Sequence, residues 1–148
     1  FVRSRSERLQ LEPEWLKDID LHLHIPRARA VEDFAGMGVA IFSAVCSLLL
    51  GVPCKNDVGV VGELTLRGSV LPVDEVKAML LAAHRAGLKE LVLPARNQPD
   101  VEEVPEEVRG ELRIRYVHRV DEILPLVLAP PSGTPTTLER PAPPEAHP

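Results

Sequence analysis

Aromatic residues are scarce in this chain: three Phe, one Trp and one Tyr among 148 residues. Lys and Arg do not gather into a basic run either. The sequence therefore lacks both the stacking faces and the positive stripe of a nucleic-acid-binding surface. Cysteine is just as sparse. Cys46 and Cys54 are the only two, too few for the disulfide framework of a secreted domain, and neither has a His or Cys at zinc-ligand spacing. They read as reduced thiols, Cys46 in the core and Cys54 near a loop, in a reducing compartment such as the cytoplasm. Long apolar runs are missing too. The longest, Val39 to Val52, is interrupted by Ser43 and Ser47 and is too short to cross a bilayer, so it reads as a buried helix. There is no initiator Met and no signal segment, which points to a fragment or a processed product.

What is present describes a folded α/β protein. The length suits one compact domain with a real core. A formal net charge of -5, with 26% charged and 45% hydrophobic residues, is the balance of a soluble globular chain. From Ile19 to Ile25 apolar and polar residues alternate, with Ile19, Leu21, Leu23 and Ile25 on one side and Asp20, His22 and His24 on the other, which predicts a strand. Gly38 to Leu50 predicts a nearly all-apolar helix ended by Gly51 and Pro53. Short strands are expected at Val58–Val61, Leu64–Arg67 and Ser69–Val73, with Gly62 and Gly68 at the sharp turns.

Asp74 is placed to cap a helix running to Ala86, with Val76, Met79, Leu80 and Ala83 at helical spacing and Gly87 as its C-terminal stop. Glu90–Leu93 reads as a buried strand, and Asp100–Val104 and Pro105–Arg109 as helical turns. Leu112–Val117 reads as a strand and Asp121–Leu128 as a closing helix. Alternating strands and helices imply an α/β layered domain with a mixed sheet over residues 1–128. Residues 129–148 are about one third proline and are expected to be disordered.

Certain stretches are more specific than these patterns. Gly59-Val60-Val61-Gly62-Glu63-Leu64-Thr65-Leu66-Arg67-Gly68-Ser69-Val70-Leu71-Pro72-Val73 and Ala82-Ala83-His84-Arg85-Ala86-Gly87 are two of them. Asp20-Leu21-His22-Leu23-His24-Ile25-Pro26, Leu91-Val92-Leu93-Pro94 with Asn97, and Val104-Pro105-Glu106-Glu107-Val108-Arg109 follow in order. Together these segments resemble the proteolytic domain of the Lon protease family. The resemblance implies that several strands of the family's domain precede Phe1. It also implies a homohexameric ring in which an ATPase module, absent from this chain and the place for ATP and Mg, delivers protein substrates.

The same resemblance implies a site. Members of the family cut peptide bonds with a serine whose hydroxyl is deprotonated by a neutral lysine, because a serine alone is a weak nucleophile. The serine belongs to a motif like Lys-Asp-Gly-Pro-Ser-Ala-Gly, against which this chain reads Glu32-Asp33-Phe34-Ala35-Gly36-Met37-Gly38, so Gly36 occupies the serine position. The lysine ends a motif like Gly-Gly-Ile-Lys-Glu-Lys, read here as Asp74-Glu75-Val76-Lys77-Ala78-Met79, so Met79 occupies the lysine position. Lys77 lies about 200° around the helix from it. An assisting threonine aligns with Val61. His22, His24, Asp33 and Glu63 are supporting positions that the chain retains.

The expectation is therefore a Lon-like domain without its catalytic groups, a pseudoprotease with a structural or regulatory role, able to meet a protein substrate or a regulatory partner. The competing expectation is an ATP-dependent serine endopeptidase that keeps residual hydrolysis. A non-proteolytic Lon-like domain of the RadA type ranks below both, because that type lacks the His-x-His-x-Pro and Ala-Ala-His-Arg-Ala-Gly segments. Two histidines and an aspartate allow an acid/base or metal constellation in principle, but two histidines without further ligands do not define a metal site, and none is expected. Ser43 and Ser47 are expected to bond to the preceding helical turn rather than to act as nucleophiles. Asp74 and Glu75, in place of the flexible Gly-Gly, are expected to favour the helix N-terminus by charge.

Overall fold

A computed structural model of the chain describes Val2, residues 20–25 and residues 35–130. A short 3-10 turn, Ala35–Met37, leads into α1 (Gly38–Leu50). β1 (Val58–Val60) follows, then a hairpin of β2 (Glu63–Leu64) and β3 (Val70–Leu71), α2 (Val76–Arg85) and β4 (Glu90–Pro94). α3 (Gln98–Glu102), α4 (Glu106–Arg109), β5 (Arg113–Val117) and α5 (Leu124–Val127) complete the order. β1, β4 and β5 form a parallel sheet in the order β1-β4-β5, with Gly59 opposite Leu91 and Leu91 opposite Ile114. β2 and β3 pair antiparallel as a separate ribbon. The α/β architecture expected from the sequence is present, with both parallel and antiparallel strands.

β4 is central because its two faces serve two cores. Successive side chains of a strand point to opposite faces. Val92 accordingly joins one buried cluster with Val39, Phe42 and Cys46 of α1 and with Val117, Ile123 and Val127. Leu91 and Leu93 join the other, with Leu80 and Ala83 of α2, Val101, Val104 and Leu112. A strand buried on both sides needs a continuous apolar run, and Leu91-Val92-Leu93-Pro94 supplies it. At the sheet edge, Arg113 and Arg115 of β5 pair with Glu90 at 3.6 and 3.2 Å, and charges of this kind discourage further strand pairing.

The helix boundaries follow their punctuation. α1 ends where Gly51 turns left-handed, its N–H reaching the Leu48 and Ser47 carbonyls. α2 ends in a Schellman pattern: Gly87, at φ 71°, donates to His84 O, and Leu88 donates to Ala83 O. That pattern needs a left-handed residue after the cap, which glycine adopts without strain.

Four expectations are corrected. Residues 20–25 form no strand; Leu21 and Leu23 are exposed by 51% and 55%. Alternation prepares a strand, but a strand exists only where an edge accepts its hydrogen bonds, and no described strand pairs with this segment. Asp74 does not cap α2. The helix starts at Val76, and Glu75 before it is left-handed with no side-chain cap bond. The closing helix is split into a 3-10 turn, Val120–Glu122, and α5. Pro125 explains this, since it offers no N–H for the Asp121 carbonyl and its ring crowds that carbonyl. Ala129, assigned to the tail, is tied down by its N–H on Pro53 O at 2.9 Å. The rest of the expected tail beyond Pro130, as well as Ile19 and Asp33, lies outside the described residues.

Candidate functional site

Two of the positions singled out by motif, Gly36 and Val61, meet at the carboxyl end of β1. Val61 extends that strand, donating its N–H to Val92 O at 3.1 Å. Gly62 then turns the chain against the start of α1. Its N–H donates to Gly36 O at 2.9 Å, and its carbonyl accepts the Val39 N–H at 3.1 Å. The second bond satisfies one of the amide donors that the first turn of a helix leaves open, in place of a side-chain cap. A side chain does not fit at Gly62: a Cβ would stand 2.7 Å from Val70 Cγ1 and 3.1 Å from Val39 Cγ2. Gly36 is thereby held, buried, one residue away from Val61 across a backbone hydrogen bond.

Met79 is carried by α2, half-buried. Its side chain and that of Val61 pack against the same cluster, formed by Leu80, Leu91, Leu93 and their neighbours. Lys77, two residues earlier, is exposed, as the helical rotation requires. Val61 and Met79, expected from the motif to stand at the threonine and lysine positions, are apolar groups that extend a core.

The loop before α2 is fixed by Asn97. This residue is 2% exposed. Its Oδ1 accepts the Val73 N–H at 3.0 Å, and its Nδ2 donates to Val73 O at 2.8 Å and to Asp100 Oδ2 at 2.7 Å. The amide thus acts like a neighbouring strand for one residue. Beyond Val73 a cavity of about 420 Å³ opens, rimmed by the carboxylates of Asp74, Glu75, Asp100 and Glu103 and by Lys77. Sequence reasoning marked Asn97 by resemblance alone. The further signal was a lone amide in the turn that follows the apolar run Leu91-Val92-Leu93-Pro94, where burial obliges it to bond.

Glu75 has φ 56° and ψ 31°, and among the described residues it is the one non-glycine with positive φ. The left-handed region costs an L-residue about 1–2 kcal/mol relative to the right-handed one. The expectation that Asp74 and Glu75 steady the helix start is corrected on this point, because Glu75 holds a conformation that glycine holds freely. Glu75→Gly should raise stability by about 0.5–1 kcal/mol, the relief exceeding the extra freedom glycine gives the unfolded chain, while Glu75→Val should lower it by about 1 kcal/mol or more. Urea unfolding of the three chains side by side checks the order.

Ser43, Ser47 and Cys46 are occupied or shielded. Ser43 Oγ donates to Val39 O at 2.8 Å, back to the preceding turn as expected. Ser47 instead donates forward to Val52 O at 2.6 Å, because the chain doubles back after Gly51. Burial, reinforced by Cys54, pushes the Cys46 thiol up to about 12, so at neutral pH it is protonated and closed to soluble reagents. The Lys55 ammonium donates to Leu126 O at 2.6 Å. His22 and His24 are exposed on the segment that forms no strand, and Glu63 is exposed at the start of β2. Among the described residues no three His, Cys, Asp or Glu side chains are grouped to hold a metal ion, and no helix is long and apolar enough to cross a membrane.

Comparison with known proteins points one way. The family profile described as the Lon protease (S16) C-terminal proteolytic domain matches residues 1–130. Lon protease 2 of Sorangium cellulosum is 53% identical over 135 residues, covering 91% of the chain and 17% of that protein. Lon protease 2 of Myxococcus xanthus is 42% identical over 139 residues, again 91% of the chain and 17% of the relative. Lon protease of Escherichia coli K12 is 42% identical over 133 residues, 89% of the chain and 17% of the relative. The chain thus spans about one sixth of the length of these relatives.

Proposed function

Since the chain belongs to the Lon protease C-terminal proteolytic domain family, we propose that it is a pseudoprotease, a domain of that family whose role is structural or regulatory. The observation that supports this reading is the identity of the residues at the three positions aligned with the family's motif. Gly36 has no nucleophile, Met79 has no proton-accepting nitrogen, and Val61 has no hydroxyl. Peptide hydrolysis by a serine needs a general base within hydrogen-bond reach of the hydroxyl, and none of the three positions supplies either partner. Val61 and Met79 pack on a core instead, which is the use a folded chain makes of apolar groups at vacated catalytic positions.

In this reading, the domain reaches Ala129, which bonds to Pro53, and the residues beyond it are a proline-rich tail. The domain works in a reducing, cytoplasmic compartment as part of a ring of like subunits. It requires no cofactor of its own, ATP and Mg belonging to a separate ATPase module. His22, His24, Asp33 and Glu63 are inherited supporting positions rather than a working site. Its partner is a protein, held or positioned but not cut. Residual serine-peptidase activity, the competing reading, gains no support from Ser43 or Ser47, which both spend their hydroxyls on backbone carbonyls.

Incubating the purified chain with casein tests the proposal. No cleavage above a buffer control is expected, and turnover that a serine-reactive inhibitor abolishes would refute it.

A further inference from the structure

The fold carries Cys54 back alongside the stretch of α1 that holds Cys46. After Gly51 the chain reverses along α1, with Val52 N–H on Ser47 O at 3.1 Å and Ser47 Oγ on Val52 O at 2.6 Å. Two residues later Cys54 passes the preceding turn, its Sγ 3.9 Å from the Ser43 carbonyl oxygen. Side chains on a helix lean toward its N-terminus, over the residues three and four before them. Cys46, three residues after Ser43, therefore leans over that same turn. Cys54 is also among the groups that raise the Cys46 thiol's affinity for its proton, an effect that requires nearness. Cys46 is buried and Cys54 is exposed.

The strip around Cys54 holds the end of the domain. Cys54 bridges Leu128, Lys55 N–H donates to Val127 O at 2.8 Å, and Ala129 N–H donates to Pro53 O. A covalent link from Cys54 to Cys46 would join α1 to that strip.

We propose that Cys46 and Cys54 are a modification site, a dithiol pair that a small-molecule disulfide oxidises to an intramolecular disulfide. The exposed Cys54 reacts first. Its thiol gives up a proton, and its sulfur attacks one sulfur of oxidised glutathione, breaking that disulfide and releasing one glutathione thiol. Cys46 then attacks the Cys54 sulfur of the mixed disulfide and loses its own proton. The new S–S bond forms as the second glutathione leaves as a thiol. Two protein thiols are oxidised and one small disulfide is reduced to two thiols, so atoms and electrons balance. Access sets the order, since burial keeps Cys46 from meeting a soluble oxidant directly.

The test is to hold the native chain with oxidised glutathione, quench with acid, and measure intact mass and a non-reducing peptide map. The expected product is lighter than the starting chain by two hydrogens, shows a peptide joining Cys46 to Cys54, and reverts with dithiothreitol. In Cys54→Ser, a substitution at an exposed position, Cys46 should remain an unmodified thiol throughout. In Cys46→Ala, the reaction should stop at a glutathione adduct on Cys54. A wild-type chain that also stops at that adduct, or that forms disulfides only between chains, would overturn the proposal.

Discussion

Replacing Gly36 by Ser and Met79 by Lys in one chain should create serine-peptidase activity about 10³-fold above the unmodified chain, while either substitution alone stays at background. The asymmetry follows from chemistry in which nucleophile and base act as a unit, so the gain is far from additive. A serine at position 36 would enter the turn that Gly62 anchors to the start of α1. A lysine at position 79 would sit half-buried against an apolar cluster, where partial desolvation lowers an amine's proton affinity and makes it a usable base. Adding Val61→Thr restores a hydroxyl beside Gly62 at nearly constant volume and should raise the rate further. Casein cleavage, together with labelling by a fluorophosphonate, reads both turnover and activation of the introduced serine. A folded double variant that neither cuts nor labels would show that more than these side chains has been lost.

Asn97→Ala should destabilise the chain by about 3–4 kcal/mol in urea unfolding. The amide makes three bonds from a site 2% exposed, and its removal leaves both backbone groups of buried Val73 without partners, each costing about 1–3 kcal/mol. Asn97→Asp separates packing from bonding. It keeps an acceptor for the Val73 N–H but sets a carboxylate against the Val73 carbonyl and Asp100, so its folded-state pKa should be raised. The sign follows: a carboxyl whose pKa is raised by folding favours the folded state at low pH and loses that contribution as pH rises through its titration. The aspartate variant should therefore regain stability on acidification, whereas the alanine variant should not. Because Val73 leads into Glu75 and α2, the same substitution should also loosen the helix that carries Met79.

Much of this fold is legible in the residues because local chemistry and burial agree. α1 spans Gly38–Leu50, the limits set in the sequence by an uncharged run between glycines, and Gly87 stops α2 where its left-handed conformation is required. β4 and β5 stand where apolar runs and alternation place them. The misreadings share one cause, that a local pattern states what a segment is ready for and not what it meets. The Leu21/Leu23 alternation found no edge among the described strands. Asp74 has the side chain of a cap, but the backbone after it passes through the left-handed region at Glu75. Asp121–Leu128 has helical spacing, and Pro125 divides it.

The candidate site rests on a different kind of reading. Gly36, Val61 and Met79 carry no signal of their own, since an unremarkable glycine, valine and methionine attract no chemical reading. They became informative only against a motif that requires Ser, Thr and Lys there. Pattern could not reveal that Gly36 and Val61 meet through Gly62, or that Val61 and Met79 lean on one cluster, because those contacts join residues far apart in sequence. The thiol pair was hidden for a related reason: the reversal after Gly51, which brings Cys54 beside Ser43, depends on the Ser47 and Val52 bonds.

The central claim, that the domain keeps its family's frame without its chemistry, is tested most directly by treating the unmodified chain with a fluorophosphonate probe and then assaying casein cleavage. The account predicts no covalently labelled serine and no cleavage at any protein concentration. A labelled serine peptide, with casein turnover lost in proportion to labelling, would contradict it.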